Sequence, residues 1–323
     1  MLDRVGLISA YHFDGLGHAR PVTWDDLAGL RDQDGVVWIH LQQNAFYTKE
    51  WLTRESGLDP VVVEGLLARQ SRPRCTEFVD GLLLDLRGVN LDPTCEEEMA
   101  PLHLWVESRR LISVRLHRIK ATRDIRDQIA AGHAPRSIGS LLARLTHRLI
   151  ERVEPAITAI DDEMDMLEHD MVEDRSAATR ARLNGLRRRA VALHRYVGPQ
   201  QMALARLAGQ RVLEINEHAR GRLRDVADDA SRSVADLDAI RERGKLIHEE
   251  MEARVNDRMQ ANMYLLSMVS VVFLPLTLLT GLLGINVAGI PASESPHAFW
   301  SVCLILVVLG VVEIWYLRRR YLS

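Results

Sequence analysis

The chain has 323 residues, 47% of them hydrophobic, and sets 41 Lys+Arg against 44 Asp+Glu for a formal net charge of -3. That balance provides no basic face for nucleic acid. Cys75, Cys95 and Cys303 form no CxxC pair, so they read as free thiols in a reducing compartment. The averages hide an asymmetry: from Met259 to Leu317 the only charged side chains are Glu294 and Glu313. A charged soluble body therefore carries an apolar C-terminal end, which speaks against a wholly soluble enzyme.

In chain order, Met1-Leu2-Asp3-Arg4 leads into Ala10-Tyr11-His12-Phe13-Asp14 without a signal-peptide apolar core, so the first 258 residues are expected in the cytoplasm. Apolar runs at Val36–Leu41, Gly81–Val89, Leu102–Val106 and Leu111–Leu116 predict strands, joined at least partly as antiparallel hairpins. Residues 46–55, 60–70 and 121–131 read as helices. A cytoplasmic α/β domain over 1-135 follows. Gly15-Leu16-Gly17 lacks the third glycine and the helix of a phosphate loop, and His248-Glu249-Glu250-Met251 does not complete HExxH. No catalytic constellation stands out, so neither an enzyme nor a resident cofactor is expected.

From about residue 137 the pattern turns helical, with long helices over 137–171 and 176–207. Between Glu151 and Asp174 lie ten acids against Arg152 alone, whereas Arg175 to Arg189 holds six arginines and no acid. The bland reading is a solvated hairpin with cross-helix charge pairs; the sharper one is an acidic lure or sensor for divalent cations. A further pattern from about 213 to 284 has no proline before Pro275 and keeps three/four apolar spacing through Leu223, Val226, Ala230, Val234, Leu237 and Ile240. A cytoplasmic helical region with this stalk occupies 136-258.

Residues 259-323 form the apolar hairpin and its basic tail. Spans are predicted near 263–284 and 298–317, each about 20 residues as a bilayer requires. Breakers from Gly284 through Pro296 supply the loop. Arg241, Arg243, Lys245, Arg254 and Arg258 precede the first span and Arg318, Arg319 and Arg320 follow the second, while the loop has no Lys or Arg. The positive-inside rule puts both termini in the cytoplasm. Trp315 and Tyr316 suit an interfacial anchor, and Glu313 is expected to pair with the nearby arginines.

Within the first span Met263, Ser267, Ser270, Leu274, Thr277, Gly281 and Gly284 recur at alternating steps of four and three. Extended backwards, the seam passes Gln260, Asn256, Ala253 and Glu249. Val272, Leu276 and Leu279 lie opposite, suited to lipid or the second span. The seam fits a tight helix–helix interface of small residues. It fits equally a wet pore lined by hydroxyls, which two spans cannot enclose without a ring of subunits.

Phe273-Leu274-Pro275 through Gly284-Ile285-Asn286 to Gly289-Ile290-Pro291 resembles the end of the first span in CorA-type metal ion transporters, with Gly-Ile-Asn and Gly-Ile-Pro pointing to the zinc-transporting, ZntB-like branch. Trp38-Ile39-His40-Leu41, Ser71-Arg72-Pro73-Arg74 and Arg195-Tyr196 with Pro199-Gln200 extend the likeness over essentially the whole chain. Ala288 departs from the glycine common in that branch. The resemblance implies an α+β membrane protein assembled as a funnel-shaped homopentamer in the inner membrane, with self, lipid bilayer and divalent cations as its partners. Zn2+ or another divalent cation would be the substrate, with proton coupling as an added feature. Gly284, Ile285 and Asn286 would form the selectivity filter, with Asn286 meeting the hydrated ion. Glu249, Asn256, Gln260, Met263, Ser267, Ser270, Leu274, Thr277 and Gly281 would line the path. Glu294 and His297 would attract cations in the outer loop, or belong to a solvated loop. Alternatives are a magnesium/cobalt channel of the same superfamily, or a membrane-anchored cytoplasmic sensor or scaffold.

Overall fold

The structure is a computed structural model that describes residues 5–27, 29, 35–90, 99–173, 177–285 and 296–321. The chain divides into two units, Met1–Leu246 and Ile247–Ser323. In the first, β1 (Leu7–Phe13), β2 (Ala19–Pro21), β3 (Val36–Gln42), β4 (Arg74–Glu77), β5 (Leu82–Val89), β6 (Met99–Val106) and β7 (Arg110–Arg115) make one sheet in the order β2-β1-β3-β7-β6-β5-β4. β5, β6 and β7 are antiparallel neighbours as the apolar runs predict. The central pair differs: β3 and β7 run parallel, Trp38 beside Leu111 and His40 beside Ser113. Parallel strands cannot be joined by a tight turn, so this pairing requires the long excursion between them.

Both faces of the sheet are covered. On one side α2 (Phe46–Arg54) and α3 (Pro60–Leu66) bury Trp51, Leu52, Val62 and Leu66 against Ile39, Leu41, Ile112 and Val114. The other side takes α4 (Lys120–Ala130), α5 (Ile138–Glu151), α7 (Ala177–Gly209) and the start of α8 (Glu217–Leu283), whose apolar stripes meet Trp38, Leu84, Leu86, Leu102 and Leu104. Burial on both faces explains why β5 and β6 read as unbroken apolar runs rather than alternating ones. Each fully buried leucine contributes about 2 kcal/mol. The sequence pattern missed β1, β2 and β4, which are edge or near-edge strands with mixed polarity. α1 (Trp24–Leu27) is a single turn.

The expected helix over 137–171 is two helices, α5 and α6 (Glu154–Glu173). Pro155 has no N–H to give the Glu151 carbonyl, so the ladder breaks at Arg152 and Val153. Between α6 and α7 the charge pattern resolves into cross-helix ion pairs, Arg182–Asp170 at 2.7 Å and Arg189–Glu163 at 3.0 Å. Arg243 on α8 meets Asp161, Asp165 and Glu168. These acids are neutralised by arginines, which is the bland reading of the segment. Among the described residues no group of three His, Cys, Asp or Glu side chains is placed to hold a metal ion.

α8 has 67 residues, roughly 100 Å at 1.5 Å per residue. The second unit holds its last part and α9 (Ala298–Tyr321).

Candidate functional site

Why the end of α8 can be helical and still carry hydroxyls follows from local chemistry. Ser270 Oγ donates to the Leu266 carbonyl at 2.9 Å and Thr277 Oγ1 to the Phe273 carbonyl at 2.7 Å. Thr280 Oγ1 donates to Leu276 and Thr277 carbonyls, both at 3.0 Å. Each hydroxyl proton is thereby turned into its own helix, and the oxygen lone pairs are left facing outward as acceptors. Pro275 lies inside the helix and gives no N–H to the Val271 carbonyl. Oxygen, not nitrogen or sulfur, is the donor atom these groups present, the type favoured by hard divalent cations.

The faces of this helix are unequal. Met268, Val272, Pro275, Leu276 and Leu279 are half-buried, and Leu276 Cδ1 lies 4.0 Å from where a side chain on Gly310 of α9 would begin. At 3.6 residues per turn these positions lie opposite the seam. Met263, Ser267, Ser270, Leu274, Thr277 and Gly281 are all exposed in the single chain, Met263 by 66% and Leu274 by 70%. Glu249, Asn256 and Gln260 extend the same exposed face. α9 therefore does not cover the seam. Within α8 the most apolar 18-residue window has a mean hydropathy of 2.2 and is 0% buried, so it is long and apolar enough to cross a membrane by length and composition. In α9 the apolar run is Phe299–Glu313.

Gly284 and Ile285 are the last described residues after α8, with Gly284 N donating to Thr280 O at 2.9 Å. Asn286 and Glu294, the expected filter and outer-loop acid, lie outside the described residues. His297 is described and exposed; its carbonyl accepts from Ser301 N and Ser301 Oγ, each at 3.1 Å. Arg319 stacks over Trp315 at 5.4 Å, consistent with an interfacial anchor. Glu313 Oε2 is buried without a hydrogen-bond partner, and the side chains of Arg318 and Arg320, two of its expected partners, lie outside what the structure describes.

The upstream motifs lie in the α/β domain and make contacts within it. Trp38 and His40 both reach Ser113 Oγ across the parallel pair, at 2.8 and 2.7 Å. Arg74 meets Asp85 at 2.6 Å, while Ser71 O accepts from Arg87. Gln200 Oε1 accepts from Arg87 N at 2.6 Å, and the Arg87 guanidinium stacks on Tyr196 at 3.9 Å. These contacts tie α7 and the β3–β4 segment onto the sheet.

Comparisons with known proteins agree over nearly the full length. A family model described as "CorA-like Mg2+ transporter protein" matches residues 33–319. The divalent cation transporter CmaX of Pseudomonas aeruginosa is 34% identical over 322 residues, covering 98% of this chain and 97% of the relative. The zinc transport protein ZntB of Klebsiella pneumoniae is 30% identical over 318 residues, covering 98% and 96%. The solved structure of full-length CmaX matches with a TM-score of 0.83 at 34% identity, covering 97% of each chain. The CorA magnesium transporter of Methanocaldococcus jannaschii, 20% identical, shares the fold with a TM-score of 0.81 over 96% of this chain and 98% of that one.

Proposed function

Because this chain belongs to the CorA-like Mg2+ transporter family, we propose that it carries divalent cations across a membrane through a pore lined by the seam of α8. The observation that carries the pore reading is the orientation of that seam. Its hydroxyls and small residues face away from α9 and are uncovered in one chain, so an identical neighbour is the natural surface to complete the enclosure. Five copies are the assembly that the family resemblance implies, with both termini in the cytoplasm of an inner-membrane protein. Ser270 and Thr277 present oxygen acceptors, Leu274 narrows the path, and Glu249 supplies an inner carboxylate.

Asn286 is the proposed filter. A ring of amide oxygens accepts hydrogen bonds from the water shell of a cation and releases the ion readily, which a ring of thiolates would not. Zinc is the proposed preferred substrate, on Gly284-Ile285-Asn286 and on relatives named for zinc transport. Magnesium is the second reading, favoured by the family's own description. Glu294 and His297 are proposed to raise the local cation concentration, and any proton coupling would use these groups or Glu313, since the seam itself has no titratable side chain inside the bilayer.

The test is uptake of radiolabelled zinc by proteoliposomes containing the full chain, with and without a pH gradient, and with magnesium or cobalt as competitor. Zinc uptake that falls at least tenfold in Asn286→Ala, with the oligomer intact by native mass spectrometry, supports the reading. Undiminished uptake in that variant removes the filter role from Asn286. No cation movement at all by the wild type would leave the hairpin as an anchor.

A further inference from the structure

A group of cations without counter-charges lies in the α/β domain, at the carboxyl end of the parallel β3–β7 pair. His40 on β3 is fully buried, and the register puts it beside Ser113, with Arg115 two residues on and therefore on the same face of β7. Ser113 Oγ accepts from Trp38 Nε1 at 2.8 Å, and its own proton has two acceptors in reach: His40 Nδ1 at 2.7 Å and the Ile39 carbonyl at 3.3 Å. The closer contact fixes the imidazole through Nδ1 and leaves Nε2 as its other nitrogen. That Nε2 is buried with no hydrogen-bond partner.

Two guanidiniums share the place. Arg115 and Arg126, the latter on α4, are half-buried, and the Nε of each is buried and equally without a partner. Arg118 is exposed in the turn between β7 and α4. Among the described residues none of the three arginines has an ion pair. The carboxylates of α4 are committed elsewhere, Asp124 to Arg152 at 2.7 Å and Asp127 to Arg123 at 3.8 Å. The mutual repulsion is legible in the ionisation: burial, then Arg126 and Arg118, push Arg115 down to about 10, and burial followed by Arg115 and Arg126 holds the His40 imidazole well below its ordinary range.

Buried, unpartnered nitrogens on His40, Arg115 and Arg126, two of them on guanidiniums without ion pairs, suit a multiply charged oxygen anion. Arginine forks match phosphate geometry bidentately, and burial strengthens each charge-assisted bond. The position outside the carboxyl ends of parallel strands is also where open sheets accommodate ligands.

We propose that His40, Arg115, Arg118 and Arg126 form a binding site for a phosphate-class oxyanion, either free or as the terminal group of a nucleotide. His40 Nε2 would donate at the base, Arg115 and Arg126 would grip the sides, and Arg118 would guide entry. This site belongs wholly to the first unit and does not rest on the transport reading.

The test uses the full chain in nanodiscs, with inorganic phosphate, sulfate and ATP compared with chloride at matched ionic strength, read by equilibrium dialysis of labelled ligand and by thermal melting. Saturable phosphate binding is expected, weakened about tenfold or more in Arg126→Gln, the loss of one charge-assisted bond. Arg118→Gln, at an exposed position that leaves packing intact, is expected to weaken it severalfold. ATP binding more tightly than phosphate supports a nucleotide, and equal binding supports the free ion. No saturable binding above chloride, or unchanged affinity in both variants, overturns the site.

Discussion

Thr277 Oγ1 donates its proton to the Phe273 carbonyl at 2.7 Å, one turn back in the same helix. The bond holds the hydroxyl in one rotamer and presents its oxygen, not its hydrogen, to whatever passes the exposed face of α8. For a cation with its water shell that polarity is favourable; for an anion it is not.

Replacing Thr277 with Val keeps the shape and removes the oxygen. The expected outcome is a fall in cation uptake of about tenfold, in line with about 1.5 kcal/mol for a lost polar contact to a charged species, with the melting temperature unchanged. Thr277→Ser restores uptake. Full uptake by the Val variant, measured in the same proteoliposomes, would put the conduction path on another face.

Asp85 organises three strands. Its Oδ2 meets Arg74 Nε and its Oδ1 meets His103 Nδ1, both at 2.6 Å, along one row of β4, β5 and β6. Both Asp85 and His103 are fully buried. Removing one member of a buried pair strands the other, so Asp85→Ala is expected to destabilise the α/β domain by about 3–5 kcal/mol. Denaturant unfolding followed by tryptophan fluorescence measures this, and a cost below about 1 kcal/mol would contradict it.

His40 predicts how stability depends on acidity. Burial comes first, then Arg115 and Arg126, in holding its native pKa well below the ordinary value of 6.5. Below that value the unfolded chain takes up a proton that the folded chain refuses. Stability is therefore fully present above pH 6.5 and declines as pH falls toward the depressed native value. Melting curves from pH 7.5 to 5 in chloride buffer should show this slope for the wild type and a shallower one for His40→Gln. Equal slopes would count against it.

Arg243 joins α8 to α6 through Glu168 foremost, with Asp165 and Asp161 alongside, and these contacts raise its pKa above the ordinary arginine value. The group is a third exposed, so screening keeps the gain modest. Arg243→Gln is expected to cost about 1 kcal/mol at low salt. The cost should largely vanish at 1 M NaCl, where the screening length is about 3 Å. A salt-independent loss of stability would point to packing instead.

Read from the residues alone, the C-terminal end was the most legible part of the molecule. A charge-free run, a continuous three/four spacing and a four-then-three seam each depend on local sequence, and α8 and α9 follow them closely. The run Gly81–Val89 was equally clear because β5 is apolar on both faces. β2 and β4 were not, because an edge strand needs little apolar pattern when its stability comes from one neighbour's hydrogen bonds.

Sequence by itself determined that this protein has a charged body, a helix of membrane-crossing length and a polar seam along it, because hydropathy and helical period are properties of neighbouring residues. Tertiary structure decided which side of that helix α9 covers, that β3 and β7 pair in parallel, and that His40, Arg115 and Arg126 meet. Position 40 is far along the chain from 115 and 126, and only the folded sheet and α4 bring the three into one low-dielectric place. No local pattern encodes such a meeting, because its energy belongs to contacts that exist only after the chain has closed on itself.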